Sequence, residues 1–230
     1  MISGGTVLAS GGSLVTQGGT LSGVTSQGVL ALAGYYQSLS AEGGLTLQTA
    51  AGGSPGNIDL SADYYSGISM LDSETPDNAT LTFGGGYGDS LSTGTGTDSG
   101  HTLTLGSSFT IDVSGGNNYL GYQGWSSNDA GDTLDNAGLI SVSGGALTID
   151  YGTFVNTGSI SVTGGTVNLG SVTTVQLGAV SVSGSESRTL IAALLRDRRH
   201  AEALSVEKAE TPDWRARVPA TARSARAVYP

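Results

Sequence analysis

Short apolar alternations separated by glycine pairs run from the amino terminus to about Glu186. Ile140 and Val142, then Leu147 and Ile149, each skip one position, and Ile160 with Val162 and Val167 with Leu169 do the same. A two-residue period puts one side of a strand in a core and the other in water. Gly144-Gly145 and Gly164-Gly165 fall between such runs, where glycine supplies the positive backbone angles of a sharp corner. No stretch of residues 1–187 sustains a helical stripe, so the pattern predicts short strands throughout.

The strands recur at a fixed interval. The run from Asn136 to Ile149 lines up with the run from Asn156 to Leu169, twenty residues later, and a third copy places Gln176, Gly178, Val180, Val182 and Gly184 in equivalent positions. A period of this size signals an array of stacked units. A leucine-rich repeat would need its own leucine frame and a helical return, and neither is present. The predicted fold is all-β, a parallel β-helix (solenoid) of about 20 residues per coil, each coil bonded to the next at about 4.8 Å. Asn136 and Asn156 then stack at one corner, amide on amide, with Gln176 as the next member of the series.

Composition divides the chain. Glycine reaches 38 residues, aromatics 6% and charged residues only 12%, against roughly 25% charged in an average domain. All nine Lys and Arg lie between Arg188 and Arg226, while 14 of the 19 carboxylates lie in residues 1–187. The expected units are therefore a repeat region, 1–187, and an Arg/Ala-rich tail, 188–230. Within the tail, Leu190, Ile191, Leu194 and Leu195 are spaced for one helix face, predicting a helix over about 189–208 followed by disorder. That tail is either a native cap on the repeat or a segment of different origin.

A body without a single cation cannot displace counterions from phosphates, which excludes nucleic acid as its partner. No apolar run approaches the length needed to span a bilayer. No cysteine is present, which removes disulfides and cysteine metal sites. The amino terminus has no basic or apolar leader segment, and the Gly-Gly pairs at 4–5, 11–12 and 18–19 show the repeat already under way. The chain is expected to begin inside a solenoid, as a fragment or a truncated reading frame.

The run from Ser3-Gly4-Gly5-Thr6-Val7 to Gly18-Gly19-Thr20-Leu21-Ser22-Gly23 resembles the repeats of bacterial autotransporter passenger domains. The Asn-x-Gly-x-Ile-x-Val-x-Gly-Gly units resemble coils of filamentous-haemagglutinin-like adhesins. Those families are secreted right-handed parallel β-helices displayed on Gram-negative surfaces. The resemblance implies right-handed coiling, an extracellular or cell-surface location, an adhesive role, and an export partner or barrel domain elsewhere.

Candidate sites lie where the repeat fails. Ile111 and Val113 precede Ile140 and Val142 by twenty-nine positions instead of twenty, so nine residues must leave the array. They fall within 117–132, which holds Tyr119, Tyr122, Trp125, Asn128 and Asp129. Aromatic rings beside amides and carboxylates suit sugars, whose C–H faces stack while hydroxyls hydrogen-bond. These five residues are the expected glycan-binding group, and the bland alternative is a loop whose Trp125 folds back as a hydrophobic cover.

Catalysis finds less support. A pectate-type lyase needs an arginine that residues 1–187 lack, and hydrolysis needs two convergent carboxyls, for which Asp129, Asp132 and Asp135 are the candidates. His101 is expected to be a solvated strand-end residue, with no metal role. Gly85-Gly86-Tyr87-Gly88-Asp89-Ser90-Leu91 resembles the calcium-binding nonapeptide of repeats-in-toxin proteins, but it lacks one residue before Asp89 and occurs once, so a glycine-rich corner is expected. The sequence therefore points to a non-enzymatic adhesin fragment with a structural and binding role and no cofactor. The alternatives are a carbohydrate-active β-helix enzyme and a bare stalk.

Overall fold

The computed structural model describes residues 1–32, 34–53, 55–61, 64–94, 99–121, 131–170, 172–183 and 205–207. Among them the apolar alternations become twenty strands and no α-helix. In chain order these are β1 (Ile2–Ser3), β2 (Thr6–Thr16), β3 (Gly19–Leu32), β4 (Ser38–Gln48), β5 (Gly56–Leu60), β6 (Gly67–Met70) and β7 (Ala79–Phe83). There follow β8 (Tyr87–Thr93), β9 (Thr102–Leu105), β10 (Thr110–Val113), β11 (Asn117–Gly121), β12 (Thr133–Asn136), β13 (Leu139–Val142) and β14 (Ala146–Asp150). The last are β15 (Thr153–Asn156), β16 (Ser159–Val162), β17 (Thr166–Leu169), β18 (Thr174–Gln176), β19 (Ala179–Val182) and β20 (Ser205–Glu207).

Every pairing among these strands is parallel. Two ladders grow outward from β3 in one sixteen-stranded sheet: β4, β6, β8, β11, β14, β17 on one side, and β5, β7, β10, β13, β16, β19, β20 on the other. The third ladder is the four-stranded sheet β9, β12, β15, β18. From β10 to β19 the chain visits the three ladders in strict rotation. The long strand β3 takes part in more than one pairing, because residues 24–27 pair with 45–48 of β4 while residues 29–31 pair with 57–59 of β5.

Parallel in-register pairing stacks like upon like. Leu30, Ile58, Leu81, Ile111, Ile140, Ile160 and Val180 follow one another as register partners, all buried. Leu39, Ile68, Leu91, Leu120 and Ile149 form a second buried column on the neighbouring ladder. Each such side chain, fully buried, stabilises the fold by about 1.5–3 kcal/mol relative to exposure. The alternate positions carry polar groups: Thr82, Asp112, Ser141, Ser161 and Ser181 run along the outside.

The corners explain the glycine content. Gly116, Gly145 and Gly165 occupy the same corner in successive repeats with φ of 72°, 67° and 77°, a region where a Cβ is strained. Gly158 is required for a different reason: a Cβ there would run into the carbonyl oxygen of Gly138 in the repeat below.

The predicted register holds at its key points, since Ile111 lies opposite Ile140 and Ile140 opposite Ile160. One expectation is narrowed and three are corrected. First, within the expected 117–132 stretch Asn117–Gly121 is strand β11, hydrogen-bonded between β8 and β14, which narrows the extra residues to those that follow Gly121. Second, that interval is not exceptional. Ser38 pairs with Gly67 and Thr80 with Thr110, offsets as long as the one from Ile111 to Ile140 or longer, so wide spacing recurs in the first half.

Third, Gln176 does not continue the asparagine series. It pairs with Val155 and is exposed, because the third ladder advances by twenty-one from Thr153 to Thr174 where its neighbour advances by twenty from Ser159 to Ala179. Leu177, buried, follows at the level of Asn156. Fourth, residues 205–207 form a strand paired to β19 where the last turn of a helix was expected. Their alternation of Ser205, Val206 and Glu207 matches that of Ala179, Val180 and Ser181. The rest of 189–208 lies outside the described residues.

Candidate functional site

The strands that carry the second aliphatic column have aromatic residues just before them or early within them. Tyr35 and Tyr36 lead into β4, Tyr64 and Tyr65 lead into β6, Tyr87 opens β8, and Tyr119 sits within β11. Parallel stacking of these strands brings the rings together. Tyr36 and Tyr65 stack with centroids 5.1 Å apart and planes 7° from parallel, Tyr35 and Tyr64 at 5.3 Å and 24°, and Tyr65 meets Tyr87 edge to face at 5.4 Å. Offset-stacked and edge-to-face pairs at such separations are worth about 0.5–1.5 kcal/mol beyond their buried area.

The row is nevertheless on the surface: Tyr35, Tyr36, Tyr87 and Tyr64 expose 65%, 58%, 46% and 41% of their area. Single exposed apolar groups are ordinary, whereas a contiguous aromatic strip marks an interaction surface. The backbone adds a second sign. Tyr36 and Tyr65 adopt φ of 57° and 53°, a left-handed conformation that costs a residue with a Cβ roughly 1–2 kcal/mol. Strain of this kind persists only where the surroundings impose it, and it concentrates at binding and catalytic sites.

What holds this backbone is a set of hydrogen bonds centred on Ser66, next to Tyr65. The Ser66 hydroxyl donates to the Gly34 carbonyl at 3.1 Å and accepts from the Gln37 backbone N–H at 3.2 Å. The Ser66 N–H in turn donates to the Asp89 carboxylate at 3.0 Å. Tyr36 N–H donates to the Tyr64 carbonyl and Tyr65 N–H to the Tyr87 carbonyl, tying each tyrosine pair to the next. Both Ser66 and Asp89 are buried, so Asp89 is a structural anchor here.

Electrostatics follow from crowding. Burial pushes the Tyr65 phenol above its usual value of 10.0, and the neighbouring Tyr87, Tyr36 and Tyr119 add to the rise. Burial likewise raises Tyr119, with Tyr87 and the carboxylate of Asp150 adding to it. Both are thus neutral phenols at neutral pH, set in a body that carries no Lys or Arg before Arg188.

Of the five residues expected to bind glycan, Tyr119 belongs to this row, half-buried in β11 opposite Ser90 and Thr148. Tyr122, Trp125, Asn128 and Asp129 lie outside the described residues. Sequence reasoning passes over the two tyrosine pairs. Their signal is Tyr35-Tyr36-Gln37-Ser38-Leu39-Ser40 echoed by Tyr64-Tyr65-Ser66-Gly67-Ile68-Ser69 at an interval of twenty-nine positions.

Of the carboxylates considered for hydrolysis, Asp132 is taken up by the fold. Asp132 is buried, its Oδ1 accepting from the N–H groups of Gly100 (2.6 Å) and His101 (2.9 Å) and its Oδ2 from the Thr93 hydroxyl (2.5 Å). It pins the approach to β9. His101, just before β9 as expected, is half-exposed, with its Nδ1 buried and without a hydrogen-bond partner among the described residues. The Asp132 carboxylate holds the backbone of residues 100 and 101 against the body. Asp135 sits half-exposed on β12, and Asp129 lies outside the described residues. A hollow near the amino terminus, lined by residues including Ile2, Leu14, Val15 and Leu21, has no titratable side chain in its walls. Among the described residues no helix is long and apolar enough to cross a membrane. Comparison of the chain with protein-family models, with curated proteins and with solved structures finds no match.

Proposed function

We propose that this chain is part of a secreted, surface-displayed adhesin of the autotransporter-passenger or filamentous-haemagglutinin-like kind, a right-handed parallel β-helix whose tyrosine row binds neutral glycan chains. The strict rotation of the chain through three parallel ladders supports the coiled reading, and right-handed crossovers between parallel strands are the overwhelming norm. The observation that carries the binding reading is the row of six tyrosines. It offers a strip of aromatic carbon with phenol hydroxyls, the combination that suits C–H faces and hydroxyls of sugars.

Charge selects among ligands. With no cation before Arg188, and with Asp150 beside Tyr119, anionic polysaccharides and nucleic acid are repelled. A neutral, extended glycan lying along the row fits best. The hydrolase reading loses one of its candidates, since both oxygens of Asp132 are engaged in holding the fold.

The test is a panel of neutral and anionic glycans probed with the purified chain. Binding is expected to neutral chains, to survive added salt, and to fall at least tenfold in Tyr36→Gly. Glycine takes the φ of 57° without strain, so loss of the ring is separated from loss of the fold. Trp125→Ala measures whether the 122–130 segment contributes. Retention of no glycan, or binding indifferent to Tyr36→Gly, removes the row as the site. Release of reducing sugar would favour the enzyme instead.

A further inference from the structure

We propose that the tyrosine row is also a site of oxidative cross-linking, at which Tyr36 couples to Tyr65 and Tyr35 to Tyr64, stapling neighbouring repeats covalently when hydrogen peroxide and a haem peroxidase act on the protein. The inference does not rest on glycan binding.

Geometry and accessibility coincide at these two pairs. Their rings are stacked at 5.1 and 5.3 Å, yet Tyr36, Tyr35 and Tyr64 remain exposed enough for an enzyme-generated oxidant to reach them. The paired residues are far apart in sequence and are held in register by the Tyr36 N–H bond to Tyr64 and by the Ser66 clamp. Holding two reactants at contact converts a bimolecular encounter into an intramolecular step, with effective concentrations far above any attainable between chains. The chain has no cysteine, so phenol coupling is the covalent route its composition leaves open for joining repeats.

The chemistry balances. Each phenol gives one electron and one proton to the oxidant and becomes a phenoxyl radical, its spin shared with the ring carbons ortho to oxygen. Two such carbons join in a new C–C bond. The hydrogen on each of those carbons then moves to the phenoxyl oxygen of its own ring, restoring two phenols. Two tyrosines and one peroxide become one biphenol and two waters. Tyr65 and Tyr87, edge to face at 68°, aim one ring's edge at the other's face, and are expected to couple more slowly than the stacked pairs.

The experiment treats the full chain, at high dilution, with hydrogen peroxide and a haem peroxidase. A monomer is expected whose mass has fallen by two hydrogens per cross-link and which shows biphenol fluorescence. Trypsin has no site in residues 1–187, so digestion is directed to carboxylates such as Glu42, Asp59 and Asp72. The map should join a peptide holding Tyr35-Tyr36 to one holding Tyr64-Tyr65. The double variant Tyr35→Phe/Tyr36→Phe should abolish that junction while retaining the β-type circular dichroism, and Tyr87→Phe should leave it intact. Closing this loop should raise the thermal midpoint by limiting the unfolded chain. Three results would each overturn the proposal: coupling only between chains, no coupling in the folded protein, or an unchanged junction map when the chain is first unfolded in urea.

Discussion

The asparagine pair shows how a single buried polar group is accommodated. Asn136 and Asn156 are completely buried, and Asn136 Nδ2 donates to Asn156 Oδ1 at 2.7 Å. Asn136 Oδ1 accepts from the Gly138 N–H, and Asn156 Nδ2 donates onward to the Leu177 carbonyl. Leu105 lies opposite Asn136 on the other side, so the amides are two polar levels in an otherwise aliphatic column. Removing one amide leaves the other's oxygen or N–H without its partner, which costs about 1–3 kcal/mol. Asn136→Ala is therefore expected to lower stability by that much in chemical denaturation. The double variant Asn136→Leu/Asn156→Leu should lose clearly less than the two single leucine variants added together, since it extends the leucine column in both directions. Additive losses in that cycle would mean the amide pair is not a coupled unit.

At the scale of strands and corners, the repeat is limited by how closely backbones approach. Gly138 and Gly158 occupy successive levels of one tight turn between the third ladder and β13 or β16, and Gly158 N–H and Thr157 N–H both donate to the Asn136 carbonyl. A methyl group on Gly158 would meet the Gly138 oxygen and the Ala137 carbonyl, backbone atoms that cannot rotate away. Overpacking of this kind costs about 1–3 kcal/mol. Gly158→Ala should lower the unfolding midpoint accordingly, while an alanine at Gly5, where nothing lies within 4 Å but φ is 79°, should cost only the smaller conformational penalty of about 1–2 kcal/mol. A Gly158→Ala variant as stable as the wild type would mean that backbone crowding is not what fixes glycine at this corner.

The same corners decide what can be seen in the sequence. The columns through Ile111, Ile140 and Ile160 are legible because two-residue alternation and glycine pairs survive any change in loop length. Gln176 is misplaced because a single additional residue on one ladder shifts its register while the neighbouring ladder keeps its spacing of twenty. The Gly11-Gly12 pair lies at an irregularity of β2 between Leu8 and Ser13, where the pairing passes from the part of β3 bonded to β4 to the part bonded to β5. Of the tyrosine row, the sequence singles out Tyr119 alone. The tyrosine pairs repeat at a spacing of twenty-nine, and a ruler of twenty passes over them. Their assembly into a row depends on parallel stacking, which no local motif announces.

Across the molecule that row ties β4, β6, β8 and β11 together from the outside, and its protonation should report on the integrity of the array. The folded state holds the Tyr65 and Tyr119 protons more tightly than an unfolded chain does, because both phenols sit above 10.0 once the fold desolvates them and sets their neighbours beside them. As pH rises past 10, the unfolded chain ionises first. The stability linked to these phenols is therefore complete below that pH and is lost as pH climbs through their folded-state values. The midpoint of denaturant unfolding is expected to be insensitive to the ionisation of these two phenols near neutrality and to fall above pH 10. Tyr65→Phe/Tyr119→Phe should flatten that alkaline decline, and the ultraviolet titration of the wild type should show phenols that ionise later in the folded than in the unfolded protein. Ionisation of Tyr65 and Tyr119 at the same pH in the folded and the unfolded chain would mean that burial and the neighbouring phenols do not act on these two groups in solution.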